Sequence, residues 1–477
     1  MKFKRILCLI LAFLMLASMV ACGNTNEPAE TNPPETEAPE TDAPETDDGK
    51  IAAPKYDGVF KTGYARVAIT PAAAQLPMGD FSKVDNDVYA TCVAVNDGDK
   101  TLILVSIDQK SISESHCDSI KSRISNVTKV PTDNIYISAT HNHSIEPFSA
   151  SGVWAMQAFG KIATAAKDAI ADLSDTEMFI GRGNSKGMAF VRRYVDANGA
   201  MSSVNPAENA IKSVRDPDEE IQVVRFSRKD KKDIIMTNWQ AHLAHAVNES
   251  WDGISADMAH YIRRDIEAGD DDTLVVYFAG ASANINLTAP TSSLQKYIDY
   301  VAVARAFASK VLNVIKAENL TRVEAGKITI TKETCVAEHK KDSAAAIAAA
   351  QARLDSDHLN DRSVLDIAGD KYLVARNKSA SRNLRIAAIS FGDLAFITVP
   401  YEMYDNNGVE VKNGSPFKMT FILTNADGDY AYMPAYEACG EGGYGGYETK
   451  ATYFAVGVAE KLVAAYVKML NEHKGIT

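Results

Sequence analysis

A length of 477 residues, a formal net charge of −12 and only six cysteines set the first limits. The acid excess argues against a nucleic-acid partner, because a phosphate-binding surface needs surplus Lys and Arg. Sparse cysteines without a C-x-x-C spacing exclude both a disulfide scaffold and a cysteine zinc site.

Residues 1–22 read as a targeting segment. Lys2, Lys4 and Arg5 form a basic start, Ile6–Met15 an apolar run, and small residues lead to Ala21-Cys22. This is the pattern of a bacterial lipoprotein signal with Cys22 as the lipidated N-terminus. The expectation is an exported protein held on the outer face of a membrane by that lipid, since the apolar run is too short to span comfortably. Residues 23–50 repeat Pro, Glu and Thr, with nine acids and one base. Such a stretch cannot bury a core and should be an extended acidic tether. Residues 51–477 then carry 46 bases against 53 acids and form the folded part. Of its cysteines, Cys92, Cys117, Cys335 and Cys439, sequence pairs none.

The folded part alternates strand and helix signals without strict rhythm. Strands are predicted at Tyr64–Ile69, Tyr89–Val95 and Thr101–Ile107, and a helix over Ser113–Ile124 with Ser113 as cap. The β-rich run Ile135–Ile137 follows, and then the Ala-rich amphipathic stretch Trp154–Leu173. Met178–Arg182 and Ile221–Phe226 read as strands around a loop-rich excursion. Asp233–Trp239 and the fully apolar Thr273–Phe278 read as central strands. Helices are predicted over Ser292–Ala317, Ser343–Leu354 and Tyr453–Leu470, a hairpin over Arg385–Val399 around Gly392-Asp393, and a late strand at Met419–Thr424. No repeat or second linker interrupts residues 51–477. The fold class is therefore α/β of the α+β-like kind: mixed sheets flanked by helices in one large domain.

Histidines concentrate at two predicted strand ends. His141 and His143 follow Ile135–Ile137, and in extended backbone residues two apart point to one side. His242 and His245 follow Asp233–Trp239. Neighbouring imidazoles suit a borderline metal such as zinc, which takes three or so protein ligands and keeps a position open. Each pair could equally face solvent or core. Two histidines need oxygen donors, and Glu402 after Val399-Pro400-Tyr401, or the segment Asp427–Tyr432, offers them.

With these motifs in order, the chain resembles the catalytic domain of the neutral/alkaline non-lysosomal ceramidase family across nearly all of residues 51–477. Ala68-Ile69-Thr70-Pro71 with Pro77-Met78-Gly79 is similar to the family's opening, and Ser138-Ala139-Thr140-His141-Asn142-His143-Ser144 to its S-A-T-H-T-H-S. Arg192-Arg193, Asp216-Pro217-Asp218-Glu219, Asn238-Trp239-Gln240-Ala241-His242, Phe278–Asn286, Val399-Pro400-Tyr401-Glu402, and Ala431-Tyr432-Met433-Pro434 with Glu441-Gly442-Gly443-Tyr444 follow in the family's order. The resemblance implies one Zn2+ held by His141, His242, Glu402 and Tyr432. It places His143 beside the metal as a proton-handling group and Arg192 near a scissile amide. The implied activity is hydrolysis of an N-acyl (amide) bond in a small or lipid-like substrate, by a monomer.

Departures from the family bound the substrate. Asn286 stands where ceramidases carry a serine, and asparagine can hydrogen-bond but not attack. Ile145-Glu146-Pro147-Phe148 replaces a glycine-rich turn. The expectation is also that no immunoglobulin-like domain follows the last helix. These differences point away from ceramide itself and leave the acyl chain and amine open. Two other readings compete: a non-catalytic ligand-binding surface lipoprotein, and an amidohydrolase barrel in which His141 and His143 both ligate. The latter requires eight strand–helix units.

Overall fold

The computed structural model describes residues 57–149, 152–203, 209–243, 252–287, 289, 299–356, 364–440 and 452–476. Two β-sheets form the centre. The strands of the larger are β1 (Lys61–Ala68), β2 (Tyr89–Asn96), β3 (Thr101–Ile107), β4 (Ile135–Ala139), β5 (Ser174–Asn184), β6 (Glu220–Arg228), β7 (Asp233–Trp239) and β8 (Thr273–Ala279), with β9 (Thr321–Val323) alongside β5. Their order is β8-β7-β6-β5-β1-β2-β3-β4. The second sheet runs β10 (Thr329–Glu338), β11 (Ser381–Phe391), β12 (Leu394–Val399) and β13 (Met419–Thr424) in sequence order. Pairing is antiparallel except for β3/β4, β7/β8 and β12/β13.

Side-chain alternation builds the layers. On β2, Val93 and Val95 face the second sheet, meeting Ile389, Phe391, Phe396 and Phe421 in one core. Cys92 and Ala94 point the other way, onto helices α1 (Glu114–Thr128) and α2 (Val153–Ala171). The same outer face over β6–β8 is covered by α3 (Asp257–Gly269) and α4 (Tyr300–Val314), with Trp239 stacked on Phe307. The far face of the second sheet meets α7 (Asp405–Gly414) and α8 (Val458–His473) through Val411, Leu462, Tyr466 and Leu470. Helices α5 (Ala344–Leu354) and α6 (Val364–Arg376) sit between β10 and β11 in the chain. The result is a helix–sheet–sheet–helix sandwich, which rules out the eight-unit barrel. A one-residue slip on any central strand would exchange its two faces, so the register is firmly specified.

Most strand predictions hold to within a few residues, and Ser113 caps α1 as predicted, its Oγ accepting from His116 N at 3.3 Å. Three differ. The excursion after β5 is not mainly loop: Arg193–Asp196, Met201–Ser203 and Ala210–Ser213 form a small sheet, and Phe190–Val191 pairs with Ile285–Asn286. The last helix starts at Val458, because Gly457 at φ +86° interrupts the helical path. Helix α4 begins at Tyr300, capped by Asp299; most of the predicted start lies outside the described residues. All four cysteines are free thiols.

Two glycines permit the packing. A Cβ on Gly63 would meet Ala169 O at 1.9 Å, so only glycine lets α2 lie this close to β1. Gly392 turns the β11–β12 hairpin at φ +60°, where a Cβ would meet Glu324 O at 1.7 Å. Gly392→Ala is expected to cost about 1–3 kcal/mol from backbone strain alone, more with the clash. Urea unfolding measures it.

Candidate metal centre

The large sheet coils until its edges approach each other. Ser106 on β3 donates to Tyr277 O on β8 at 2.6 Å. The edge strand β13 of the second sheet closes the gap: Asn238 Nδ2 donates to Ile422 O at 2.9 Å, and Ser138 Oγ to Thr424 O at 3.0 Å. The C-terminal ends of β4, β7, β8, β12 and β13 thereby converge, and the segments that leave them carry the chemistry. Strand ends of this kind are where sheet proteins gather functional groups.

His141 leaves β4 through a left-handed turn at φ +64°. That turn, rather than strand alternation, brings His143 Nε2 to 3.3 Å from His141 Nε2. His242 arrives three residues beyond β7, its Nε2 3.0 Å from His141 Nε2. The Oε2 atom of Glu402, two residues past Pro400, lies 3.5 Å from the same nitrogen. The three histidines each offer one ligand atom, all within 4.8 Å of one another. His245 lies outside the described residues.

Burial decides the charge state. Desolvation pushes the His141 imidazole below its ordinary value, outweighing the opposing pull of the Glu402 carboxylate. His242 is pushed further down, by burial first and then by His141, Arg192 and His143. At neutral pH both rings are uncharged, so the approach of Glu402 to His141 is not an ion pair. His242 Nδ1 lies 3.2 Å from Ser282 O, and His141 Nδ1 2.9 Å from Lys110 O. A carbonyl only accepts, so His242 Nδ1 carries the proton and its Nε2 presents a lone pair to the shared space; the Lys110 carbonyl draws the His141 proton toward Nδ1 in the same way, with the Asn425 amide beside that same nitrogen.

This donor set fits a cation. Around His141 Nε2 stand His242 Nε2, His143 Nε2 and Glu402 Oε2, and one proton can satisfy only one of them. Glu402 Oε2 is buried and has no hydrogen-bond partner among the described residues. Neutral imidazoles plus a carboxylate are the ligand types a borderline divalent ion takes, and carbonyls behind the rings are the usual way of orienting them. Both rings are neutral in the fold but protonate near 6.5 when exposed. Unfolding then takes up protons below that value. Metal-free protein should lose stability as pH falls from 7 toward 5, and a His141→Gln/His242→Gln variant should lose less. Melting temperatures at the two pH values test this.

Tyr432 and Arg192 form an adjoining pair. Arg192 Nη2 donates to the Tyr432 hydroxyl at 2.9 Å, and its guanidinium lies over the Tyr432 ring, 5.4 Å from the centroid. Tyr432 is paired directly with Glu402 in a short parallel ladder, so their side chains share a face. The other oxygens of the segment are turned to partners outside the histidine cluster: the Tyr430 hydroxyl to Glu114, Asp427 to Lys121 at 2.5 Å and Asp429 to Ser111 at 3.4 Å. Asn286 sits in the two-residue strand paired with Phe190–Val191, next to Arg192, with its carboxamide oxygen accepting from Leu287 N at 2.8 Å.

Sequence reasoning missed the supports behind the ligands. Arg263 and Asp108 form a buried bidentate pair beneath the Thr140-His141 turn, at 2.9 and 2.7 Å. Asn425 Nδ2 lies 2.9 Å from His141 Nδ1. Five non-glycine residues of this region, His141, Asp257, Asn425, Asp427 and Ala431, hold positive φ. Backbone strain of this kind costs energy and collects at functional sites. Asn425-Ala426-Asp427-Gly428 is a turn signal in sequence, but nothing there says which way its side chains aim.

No family model matches the chain, and no curated protein matches it. Solved structures do. A neutral ceramidase from Pseudomonas aeruginosa superposes with a TM-score of 0.63 at 14% identity, covering 87% of this chain and 75% of its own. A ceramidase complexed with C2 gives 0.60 at 14% identity, covering 87% and 76%. The fold predicted from the ordered motifs is the fold found: this chain has the architecture of the neutral ceramidases.

Proposed function

We propose that the protein is a zinc-dependent hydrolase of an N-acyl amide bond. The observation that carries this reading is the convergence of His141 Nε2, His242 Nε2 and the buried Glu402 Oε2 at the strand ends of a ceramidase-like fold. His141, His242 and Glu402 would hold the ion, with Tyr432 on the same face as Glu402. A zinc ion there supplies a Lewis acid that polarises a carbonyl and makes water more acidic.

The chain's own groups supply the rest. Arg192, anchored on Tyr432, orients the acyl group with a fixed positive charge that needs no proton uptake. His143 is partly exposed and can pass a proton to the departing amine. Asn286 offers an amide to hydrogen-bond substrate. The basic start, apolar run and Ala21-Cys22 support export and a lipid anchor at Cys22.

Protein purified without chelator is expected to contain about one zinc per chain by elemental analysis, and to release free amine from members of an N-acyl panel. Dialysis against a chelator should abolish turnover, and zinc should restore it. Metal-free protein that binds an N-acyl compound without turnover would select the ligand-binding alternative instead. Cys22→Ser should move the protein from the membrane fraction to the soluble one.

A further inference from the structure

The residue beside His141 that no ligand assignment uses is Asn425. It is buried, sits at φ +48°, and heads the segment that ties the two sheets together at the site. Its main-chain oxygen accepts from Ala139 N at 3.2 Å, one residue from the His141 turn. Ala426 N then donates to Val399 O at 2.9 Å, on the strand that leads to Glu402. Asp427 exchanges backbone and side-chain bonds with Ile137, and its carboxylate is held by Lys121. The segment therefore joins the strand bearing one candidate ligand to the strand bearing another.

The Asn425 side chain does something more specific. Its amide nitrogen is placed 2.9 Å from His141 Nδ1, the atom that also faces Lys110 O at 2.9 Å. An amide can present either end. With nitrogen toward the ring it donates to Nδ1, the ring proton moves to Nε2, and that proton can bridge to His242 Nε2. With oxygen toward the ring it joins the Lys110 carbonyl in accepting from Nδ1–H, and the Nε2 lone pair is free for a cation. Only the second arrangement is compatible with ligation.

Resting on the metal-site reading above, we infer that Asn425 is a positioning residue that selects the tautomer of His141 and so sets metal affinity. Two substitutions separate this role from a structural one. Asn425→Gly removes the amide while keeping a residue at ease with positive φ. Asn425→Asp tolerates the same backbone and can only accept, which fixes the proton on Nδ1. The probe is Co2+, whose visible absorption reports coordination geometry, combined with the rate of Co2+ loss to excess chelator.

Asn425→Gly is expected to bind Co2+ about 10–100-fold more weakly and to change the absorption spectrum. Asn425→Asp is expected to keep the wild-type spectrum and to lose Co2+ no faster. Equal spectra and loss rates in wild type and Asn425→Gly would overturn the role given to Asn425. So would faster loss from Asn425→Asp at an unchanged melting temperature. Failure of the wild-type protein itself to take up Co2+ would strike the metal site, and this inference with it.

Discussion

His242→Ala is expected to strip the protein of metal and lower hydrolysis about a thousandfold or more. The Lewis-acid contribution is several kcal/mol, and each decade of rate corresponds to about 1.4 kcal/mol. The position is unforgiving because His242 is almost fully buried, its Nδ1 committed to Ser282 O and its Nε2 aimed at His141. His143→Ala should behave differently. His143 is partly exposed at the edge of the cluster, so metal content should persist while turnover falls, by about 10²–10⁴-fold if its part is proton transfer. Elemental analysis alongside single-turnover rates on the same samples separates the two. Metal loss in both variants would make His143 a ligand.

Arg263→Met is expected to be the most destabilising substitution near the site, by about 3–5 kcal/mol, because it leaves the Asp108 carboxylate buried and unpaired. Asp108 is fully buried, and its two oxygens take both ends of the Arg263 fork. It also accepts from Tyr89 N at 2.8 Å, and Thr140 Oγ1 lies 3.4 Å away. The pair thus ties α3 to the end of β3 and to the residue just before His141. Arg263→Met combined with Asp108→Asn should recover part of the loss, since the uncompensated charge is gone. Urea unfolding of the single and double variants reads this out. A single variant within 1 kcal/mol of wild type would mean that water reaches Asp108 more readily than its burial implies.

The sequence reading succeeded where pattern is local. β2, β3, β7, β8 and β13 are short, dense in branched and aromatic residues, and bounded by turn signals, so period and composition sufficed. His141, His242 and Glu402, which the fold brings together, stood out in the sequence because each follows a strand. Helix α3, by contrast, went unread. Its residues Asp257–Gly269 mix Arg263, Arg264 and Asp265 with apolar positions, and Arg263 turns inward to a partner more than a hundred residues away. Strand β10 was missed because its residues Thr329–Glu338 are largely exposed, with charge at Lys332, Glu333 and Glu338. The carbonyls of Lys110 and Ser282 behind the rings had no sequence signal, since every residue carries a carbonyl. The left-handed turn at His141 was equally silent, so the two histidines converge for a reason that strand alternation did not supply.

Glu402 lies just past a strand of the second sheet, whereas His141 and His242 lie just past strands of the first. A half-assembled chain therefore has no binding pocket, however well either layer is formed. On the proposed reading, ion capture would require both layers to be in place, and ion escape would report their parting. The bound cation would serve as a built-in tell-tale of sandwich integrity, departing under mild denaturant while each sheet still keeps its own strands paired.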